Sequence, residues 1–494
     1  MTEYRYQGEK LPADERKRRM QSRRHGMREQ PPMARVLNFS EVNLGYDEET
    51  AMAEAERCLG CPTAPCVGGC PVHVKVPEFL EAVANGDFMQ AVQIVMEDNA
   101  LPAVTGRVCP QEVQCEGPCT QAKAGQGPVG IGYLERFVAD YERRSEQTCC
   151  FDIAEPSGYR VAIVGSGPGG LSAAADAARA GHEVHIFEAL HKPGGVLVYG
   201  IPEFRLPNEI ISYEIQRLQN MGVAIHTNHA IGRIYTVDEL LDDKGYDAVY
   251  LGIGAGLPWF MRIDGENLNG VYSANEYLTR TNLMQAYRFP ETDTPIVRGR
   301  NVAVVGGGNV AMDAVRSALR LGASNAYLIY RRSREQMPAR DEEIHHAEEE
   351  GVDFRLLNNP VRYIGDEHGW VSQVECIQME LGEPDRSGRP RPEPIEGSEF
   401  RLDVDVVVVA IGTGANPLLT ETTPGLETTK RGYIAVDDGL RTTKPGVFAG
   451  GDIVRGGATV ILAMGDGRTA AASINEWLES GDWPTGGEEP AAKL

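Results

Sequence analysis

Two short glycine-rich turns, Gly165-Ser-Gly-Pro-Gly-Gly170 and Gly306-Gly-Gly-Asn-Val-Ala311, restrict what this 494-residue chain can fold into. Each follows a β-branched run and opens an alanine-bearing one. Residues 159–164 read as a strand, 171–180 as a helix stopped by Gly181, and 183–188 as a second strand. The same grammar recurs over 301–332: a strand, a glycine turn, a helix to Arg320, Gly322, then a strand over 326–330. Alternation of this kind builds parallel sheets with crossover helices. The expected fold class is therefore α/β with two Rossmann-like units, two copies of one nucleotide fold.

The turns also specify chemistry. Gly165 permits the tight turn, Gly167 lets backbone approach a pyrophosphate, and Gly170 lets helix and strand pack closely. The helix N-terminus adds amide donors and a favourable dipole. Glu188 ends the second strand, where an acid binds a ribose diol. The second turn, Gly306, Gly307, Gly308, Asn309, Val310 and Ala311, has no such acid after it. Arg331 and Arg332 stand there instead, with Arg334 and Arg340 close by. Arginine suits the 2′-phosphate of NADP(H), which an acid would repel. A solvated basic turn is the alternative.

Ahead of both turns lies a cysteine block. Cys58-x2-Cys61-x4-Cys66-x3-Cys70-Pro71 is followed by Cys109-Pro-x4-Cys115-x3-Cys119. Close spacing with trailing prolines is the pattern of ferredoxin-type cluster binding, because one loop must supply several thiolates to a compact cubane. Two [4Fe–4S] clusters need eight ligands, and seven of the chain's ten cysteines lie here. Glu135, on a helix expected over 131–144, is either an eighth, oxygen ligand or a solvated glutamate beside Arg136. Zinc also uses such pairs, but four ligands per tetrahedral site fit seven thiols less well. Cys149, Cys150 and Cys376 stand apart as structural or incidental residues.

Other functions are disfavoured by bulk properties. A net charge of -23 lacks the basic footprint of nucleic-acid binding. It favours solubility and permits docking to a basic partner face. No apolar run approaches a membrane span, and the start lacks a signal-peptide core, so the expected compartment is the cytoplasm. There clustered cysteines are metal ligands more often than disulfides. Residues 1–45 read as a solvated or partly ordered basic arm, 47–57 as a capped helix, 77–97 as one amphipathic helix, 145–159 as a linker, and 386–400 as an exposed hairpin tip or loop. The expected division is a helical iron–sulfur domain with its arm over 1–150, a first nucleotide domain split into 151–290 and 409–494, and an NADP(H) domain over 291–408.

Further motifs carry a family likeness. His191-Lys-Pro-Gly194-Gly195-Val196 resembles the loop after the second strand of FAD-dependent pyridine-nucleotide reductases, and Gly446-Val-Phe-Ala-Gly450-Gly451-Asp452 resembles their second FAD motif. The resemblance implies that Asp452 bonds the ribityl chain. A helix beginning near Thr459 and Val460 would aim its positive end at the flavin pyrimidine. With the cysteine block included, nearly the whole chain resembles the small (beta) subunit of NADPH-dependent glutamate synthase and its relatives. These include the large subunit of NADH-dependent reduced ferredoxin:NADP oxidoreductase and the N-terminal half of dihydropyrimidine dehydrogenase.

That likeness implies one cluster on Cys58, Cys61, Cys66 and Cys119, and another on Cys70, Cys109, Cys115 and Glu135. It also implies FAD contacts by Val196 and Arg205, and a nicotinamide site lined by Ala410 and Gly412. No catalytic acid–base pair is required, because hydride passes between bound cofactors. Electrons would run from NADPH through FAD and the clusters to a partner redox subunit. That partner is either the glutamate synthase large subunit or a small FAD/[2Fe–2S] subunit with ferredoxin. Position 2 is Thr2, not an amidotransferase cysteine, so glutamate would need the partner. The longer Cys109–Cys115 spacing resembles the oxidoreductase and dehydrogenase type more than the two-subunit synthase.

Overall fold

The computed structural model describes residues 4–8, 10–145, 151–385 and 388–483. Two five-stranded parallel sheets form its centre. The first has the order Val447–Ala449, Ala248–Leu251, Arg160–Val164, Glu183–Phe187, Ala224–His226. Val161, Ala162, Ile163 and Val164 are all buried, as expected of a central strand covered on both faces. The second sheet orders Val271–Ser273, Val406–Val409, Asn301–Val305, Asn325–Tyr330, Asp353–Leu356. Each sheet thus takes its last strand from far downstream, which nests the second unit within the first.

The second sheet begins earlier than expected. Val271–Ser273 pairs with Val406–Val409, upstream of the expected boundary at 290, because this three-residue edge strand is too short to show a period. An antiparallel sheet of Asn358–Gly365, Val371–Pro384, Pro390–Pro394 and Phe400–Asp403 completes this half. The stretch expected as an exposed hairpin tip or loop holds a hairpin turn, with Pro390–Pro394 within it forming a strand. Residues 386–387 lie outside the described residues, as do Cys149 and Cys150. Cys376 is fully buried on the long hairpin strand.

The N-terminal part is helical. Asp47 accepts a hydrogen bond from the Thr50 amide and caps Glu48–Ala55. The helix expected over 77–97 is two, Val76–Ala84 and Phe88–Asp98. Gly86, at φ +81°, turns the chain between them, and Phe79, Val83, Phe88, Val92 and Val95 still face one core. Ile131–Arg144 forms as expected.

The basic arm is not merely solvated. Its Ala13–Gln21 segment is helical, the Arg19 Nη1 donates to the Cys58 carbonyl at 2.8 Å, and Arg24 pairs with buried Glu116. Arg35 is 1% exposed and reaches Glu349 and Glu350 at 2.8 Å each. Glu350 also receives Arg316 and Arg320 at 2.7 Å, and the two guanidiniums lie over the Phe204 ring. Burial opposes ionisation of Glu350, but the hydrogen bonds from Arg320 and Arg316 outweigh it and hold its carboxyl well below the usual range. This lattice ties the arm to the second nucleotide unit.

Removing one member of such a lattice leaves uncompensated buried charge. Glu350→Ala is expected to cost about 3–5 kcal/mol, with Glu350→Gln intermediate. Thermal unfolding of the cofactor-loaded protein checks this, and a midpoint within a degree of wild type would remove the lattice from the stability account.

Candidate functional site

Each glycine turn does locally what its spacing requires. Arg160–Val164 runs through the turn into Pro168–Arg179, whose N-cap is Gly167. Asn301–Val305 runs likewise into Asn309–Arg320, capped by Gly308. Gly165 sits at φ +100°, and a side chain there would meet the Gly252 carbonyl at 2.5 Å. A side chain on Gly170 would strike the Gly165 carbonyl at 2.0 Å, so strand and helix close only over hydrogen. Gly167 has nothing within 4 Å of its missing Cβ, and Gly308 has only Pro338 at 3.8 Å. Those two glycines therefore open the backbone to the space in front of each helix, where phosphate oxygens find amide donors.

The space is one cavity of about 1130 Å³ that spans both turns. Gly165, Gly167, Glu188, Gly195, Val196, Arg205, Gly451, Asp452, Thr459 and Val460 line its first part. Gly306, Gly307, Gly308, Asn309, Val310, Arg331, Arg332, Ala410 and Gly412 line the other. Gly170 and Ala311 lie behind the lining, as packing positions do. Glu188 accepts from the Ser166 amide at 3.0 Å and the Leu190 amide at 2.8 Å, which fixes its carboxylate at the cavity edge. Burial raises the Asp452 pKa to about 6, against a hydrogen bond from the Ala458 amide. Thr459 caps Val460–Ser480 by accepting from the Leu462 amide, so this long helix points its N-terminus into the cavity.

Two expectations need correction. Arg340 is buried away from the cavity, donating to the Arg107 carbonyl at 2.9 Å and to Gln111 at 3.0 Å. Arg334 is turned to Glu348 on the neighbouring helix. Both follow the second strand closely in sequence, but the 3₁₀ turn Arg334–Gln336 swings the chain aside. Arg205 reaches the cavity wall, yet its Nη1 donates to both Asp313 oxygens, at 2.7 and 2.8 Å, and its Nε lies 3.0 Å from Glu343. Its charge therefore bridges the two nucleotide units. Arg389 and Tyr330 also line the cavity and were not singled out from sequence. Arg389 is brought there by an antiparallel hairpin, whose turn the sequence shows but whose fold-back onto the cavity it does not.

The seven cysteines divide into two sets. Cys58, Cys61, Cys66 and Cys119 surround a void of about 30 Å³. Burial pushes the Cys58 thiol up to about 12, with Cys61 and Cys119 adding to the rise, and raises Cys66 similarly beside Cys58 and Cys119. Burial likewise raises Cys70 to about 11 and Cys109 and Cys115 well above the ordinary thiol, with Glu135 contributing each time. Glu135 is buried, its pKa raised to about 7 by that burial, while Asn99, at 2.7 Å, and Thr105 hold its Oε1. It is not a solvated glutamate.

This donor chemistry fits iron–sulfur cubanes. Buried thiols lose their protons only to a strongly positive neighbour, which a metal supplies. A tetrahedral zinc would draw its sulfurs to about 3.8 Å from one another. Among the described residues, the one set of three or more such ligand atoms within 4.8 Å is Glu29, Glu342 and His346, with no cysteine in it. Cys70, Cys109 and Cys115 also lie beside the cavity. Val108 and Pro110, flanking Cys109, line it, and the Gln114 Nε2 donates to the Thr459 hydroxyl at 3.3 Å.

Comparison with known proteins gives this arrangement its family. Residues 159–467 match the model of the pyridine nucleotide-disulphide oxidoreductases. The chain belongs to that family. Residues 35–147 match dihydropyrimidine dehydrogenase domain II, 4Fe-4S cluster. Among curated relatives, the beta subunit of NADP(+)-dependent formate dehydrogenase from Moorella thermoacetica is 41% identical, over 92% of this chain and 67% of its own. The glutamate synthase [NADPH] small chain of Escherichia coli is 37% identical over 91% and 96%. The beta subunit of NADPH-Fe(3+) oxidoreductase from Geobacter sulfurreducens is 36% identical over 91% and 69%. The chain is thus a member of the glutamate synthase small-subunit group.

Mycobacterium tuberculosis FprA in complex with NADPH shares the fold, with a TM-score of 0.54 at 22% identity over 66% of this chain and 85% of that one. The protein is an NADPH-dependent flavin and iron–sulfur oxidoreductase, with FAD, NADP(H) and two [4Fe–4S] clusters as its cofactors. Among the described residues no helix is long and apolar enough to cross a membrane.

Anaerobically prepared protein should hold about eight irons and eight labile sulfides per chain. Glu135→Ala is expected to make one cluster labile or to alter its paramagnetic signal while sparing the other. Unchanged iron content and spectra would reduce Glu135 to a partner of Asn99 and Thr105.

Proposed function

We propose that the chain is the NADPH-oxidising subunit of a glutamate synthase, passing electrons to a large subunit that converts glutamine and 2-oxoglutarate into two glutamates. The observation that carries this reading is the end-to-end match to the Escherichia coli small chain, of which 96% is covered.

In this reading Cys58, Cys61, Cys66 and Cys119 hold one cluster, and Cys70, Cys109, Cys115 and Glu135 hold the other, nearer to the flavin. Bound in these places, FAD would supply the exchange between paired and single electrons, and the clusters a single-electron relay to the acceptor. The protein's own work is positional. Glu188 and Asp452 hold the flavin nucleotide through its hydroxyls, with Gly195 and Val196 packed along it. The helix from Val460 presents its N-terminal amides to negative charge on the flavin ring. Gly306 to Val310 cradle the NADP(H) pyrophosphate, and Ala410 and Gly412 wall the nicotinamide. The Arg205–Asp313 pair holds the two nucleotide units at one mutual angle, which alignment of the two rings requires.

A second reading is favoured by two observations. Cys109 and Cys115 are separated by five residues, the longer spacing, and the formate dehydrogenase beta subunit reaches 41% identity. The alternative acceptor is then a different redox subunit, as in a ferredoxin:NADP transhydrogenase with a small FAD/[2Fe–2S] chain. Co-purification from native cells, followed by assay of glutamine-dependent NADPH oxidation, separates the two. A co-purifying amidotransferase/FMN chain supports the first, and a small FAD/[2Fe–2S] chain supports the second.

Cys66→Ser is expected to leave NADPH-driven reduction of a two-electron dye within about twofold, while lowering electron delivery to the partner by at least about tenfold. Equal losses in both assays would argue against a cluster lying on the exit side.

A further inference from the structure

Three guanidiniums meet where the second nucleotide strand, Asn325–Tyr330, ends at the cavity: Arg331, Arg332 and Arg389. Their hydrogen bonding divides them. Arg332 is buried, and its Nε donates to the Pro390 carbonyl at 2.9 Å and its Nη2 to Asp385 at 3.2 Å. Asp385 lies in the turn joining Val371–Pro384 to Pro390–Pro394, and Pro390 opens the second of these strands. Arg331 has no hydrogen bond or ion pair among the described residues, and the cavity wall together with Arg332 and Arg389 lowers its pKa. The Arg389 guanidinium donates from Nη2, to the Tyr330 hydroxyl at 2.9 Å and to the Gln336 carbonyl, and among the described residues its Nε and Nη1 have no partner.

Tyr330 links that arginine to the phosphate turn. Its ring occupies the place a side chain on Gly307 would take, 2.7 Å from the ideal Cβ. Arg389 is therefore fixed at the strand end, where an adenosine ribose presents its 2′ position. Free donors on two neighbouring arginines, in one cavity wall, form a site for a compact dianion.

We propose that Arg331 and Arg389 are the two prongs that grip the 2′-phosphate, and that Arg332 is a positioning residue which holds the hairpin carrying Arg389. The discrimination between NADP(H) and NAD(H) then lies partly in an antiparallel insertion outside the nucleotide fold. This rests on the NADP(H) preference of the enzyme.

The test is equilibrium binding of 2′,5′-ADP and of 5′-ADP to the holoenzyme, alongside KM and kcat for NADPH and NADH. Arg389→Ala and Arg331→Ala should each weaken 2′,5′-ADP about 10- to 100-fold and raise KM for NADPH to match, with 5′-ADP affinity and kcat nearly unchanged. Arg389→Lys should recover part of the loss. Arg332→Ala should weaken 2′,5′-ADP as well, but with faster proteolysis in the 385–390 turn, which Arg389→Ala would lack. Full 2′,5′-ADP affinity in Arg389→Ala, or loss in Arg332→Ala with an equally protected turn, would overturn the assignment. Equal affinity of the wild type for both probes would reject the NADP(H) preference itself.

Discussion

The structure depends on the contact between the cysteine segment and the nucleotide cavity. Cys109 sits between Val108 and Pro110, which line the cavity, and Gln114 bonds Thr459 at the N-terminus of the long C-terminal helix. The same helix packs against Pro168–Arg179, the first nucleotide helix, and Gly465 within it lies against the Pro71 carbonyl. A helical domain that could have hung from the chain as a bead is instead part of the cavity wall. Electron transfer between bound groups falls steeply with separation, so this wall makes one enzyme out of two binding modules.

Charge holds the other joint. Glu350 receives three buried arginines, one of them from the N-terminal arm, and Arg205 bridges to Asp313 and Glu343 across the nucleotide units. Buried ion pairs contribute little net stability relative to apolar packing, but they penalise every arrangement that separates them. Orientation of the two units is what such a lattice specifies. The enzyme needs that orientation because its two ring systems must stack.

Much of this was legible in the chain's text, for a physical reason. Glycine turns, caps and helix periods are local. Asn309–Arg320 and Ile131–Arg144 could therefore be read off directly, and both glycine turns fall on the cavity as expected. The split at Gly86 shows the limit, since the apolar face continues across the break and hides it. Tertiary pairing is not local. Arg340 and Arg334 follow the correct strand but leave the cavity, whereas Arg389 arrives from a distant hairpin. Arg24 and Arg35 looked like solvated arm residues because their carboxylates, Glu116, Glu349 and Glu350, lie far along the sequence. Glu135 was a ligand candidate from its position and from the family likeness, but its solvated alternative fell only once its burial beside Cys70, Cys109 and Cys115 was visible.

The central claim is that flavin and clusters form one conducting path. Rapid anaerobic mixing with NADPH, followed by absorbance across the flavin and the broad iron–sulfur bands, tests it most directly. The account predicts that flavin bleaching is followed, within the same turnover, by loss of iron–sulfur absorbance and the appearance of a reduced-cluster paramagnetic signal. A flavin that reduces fully while the clusters stay oxidised, with a suitable low-potential donor still able to reduce them, would contradict it.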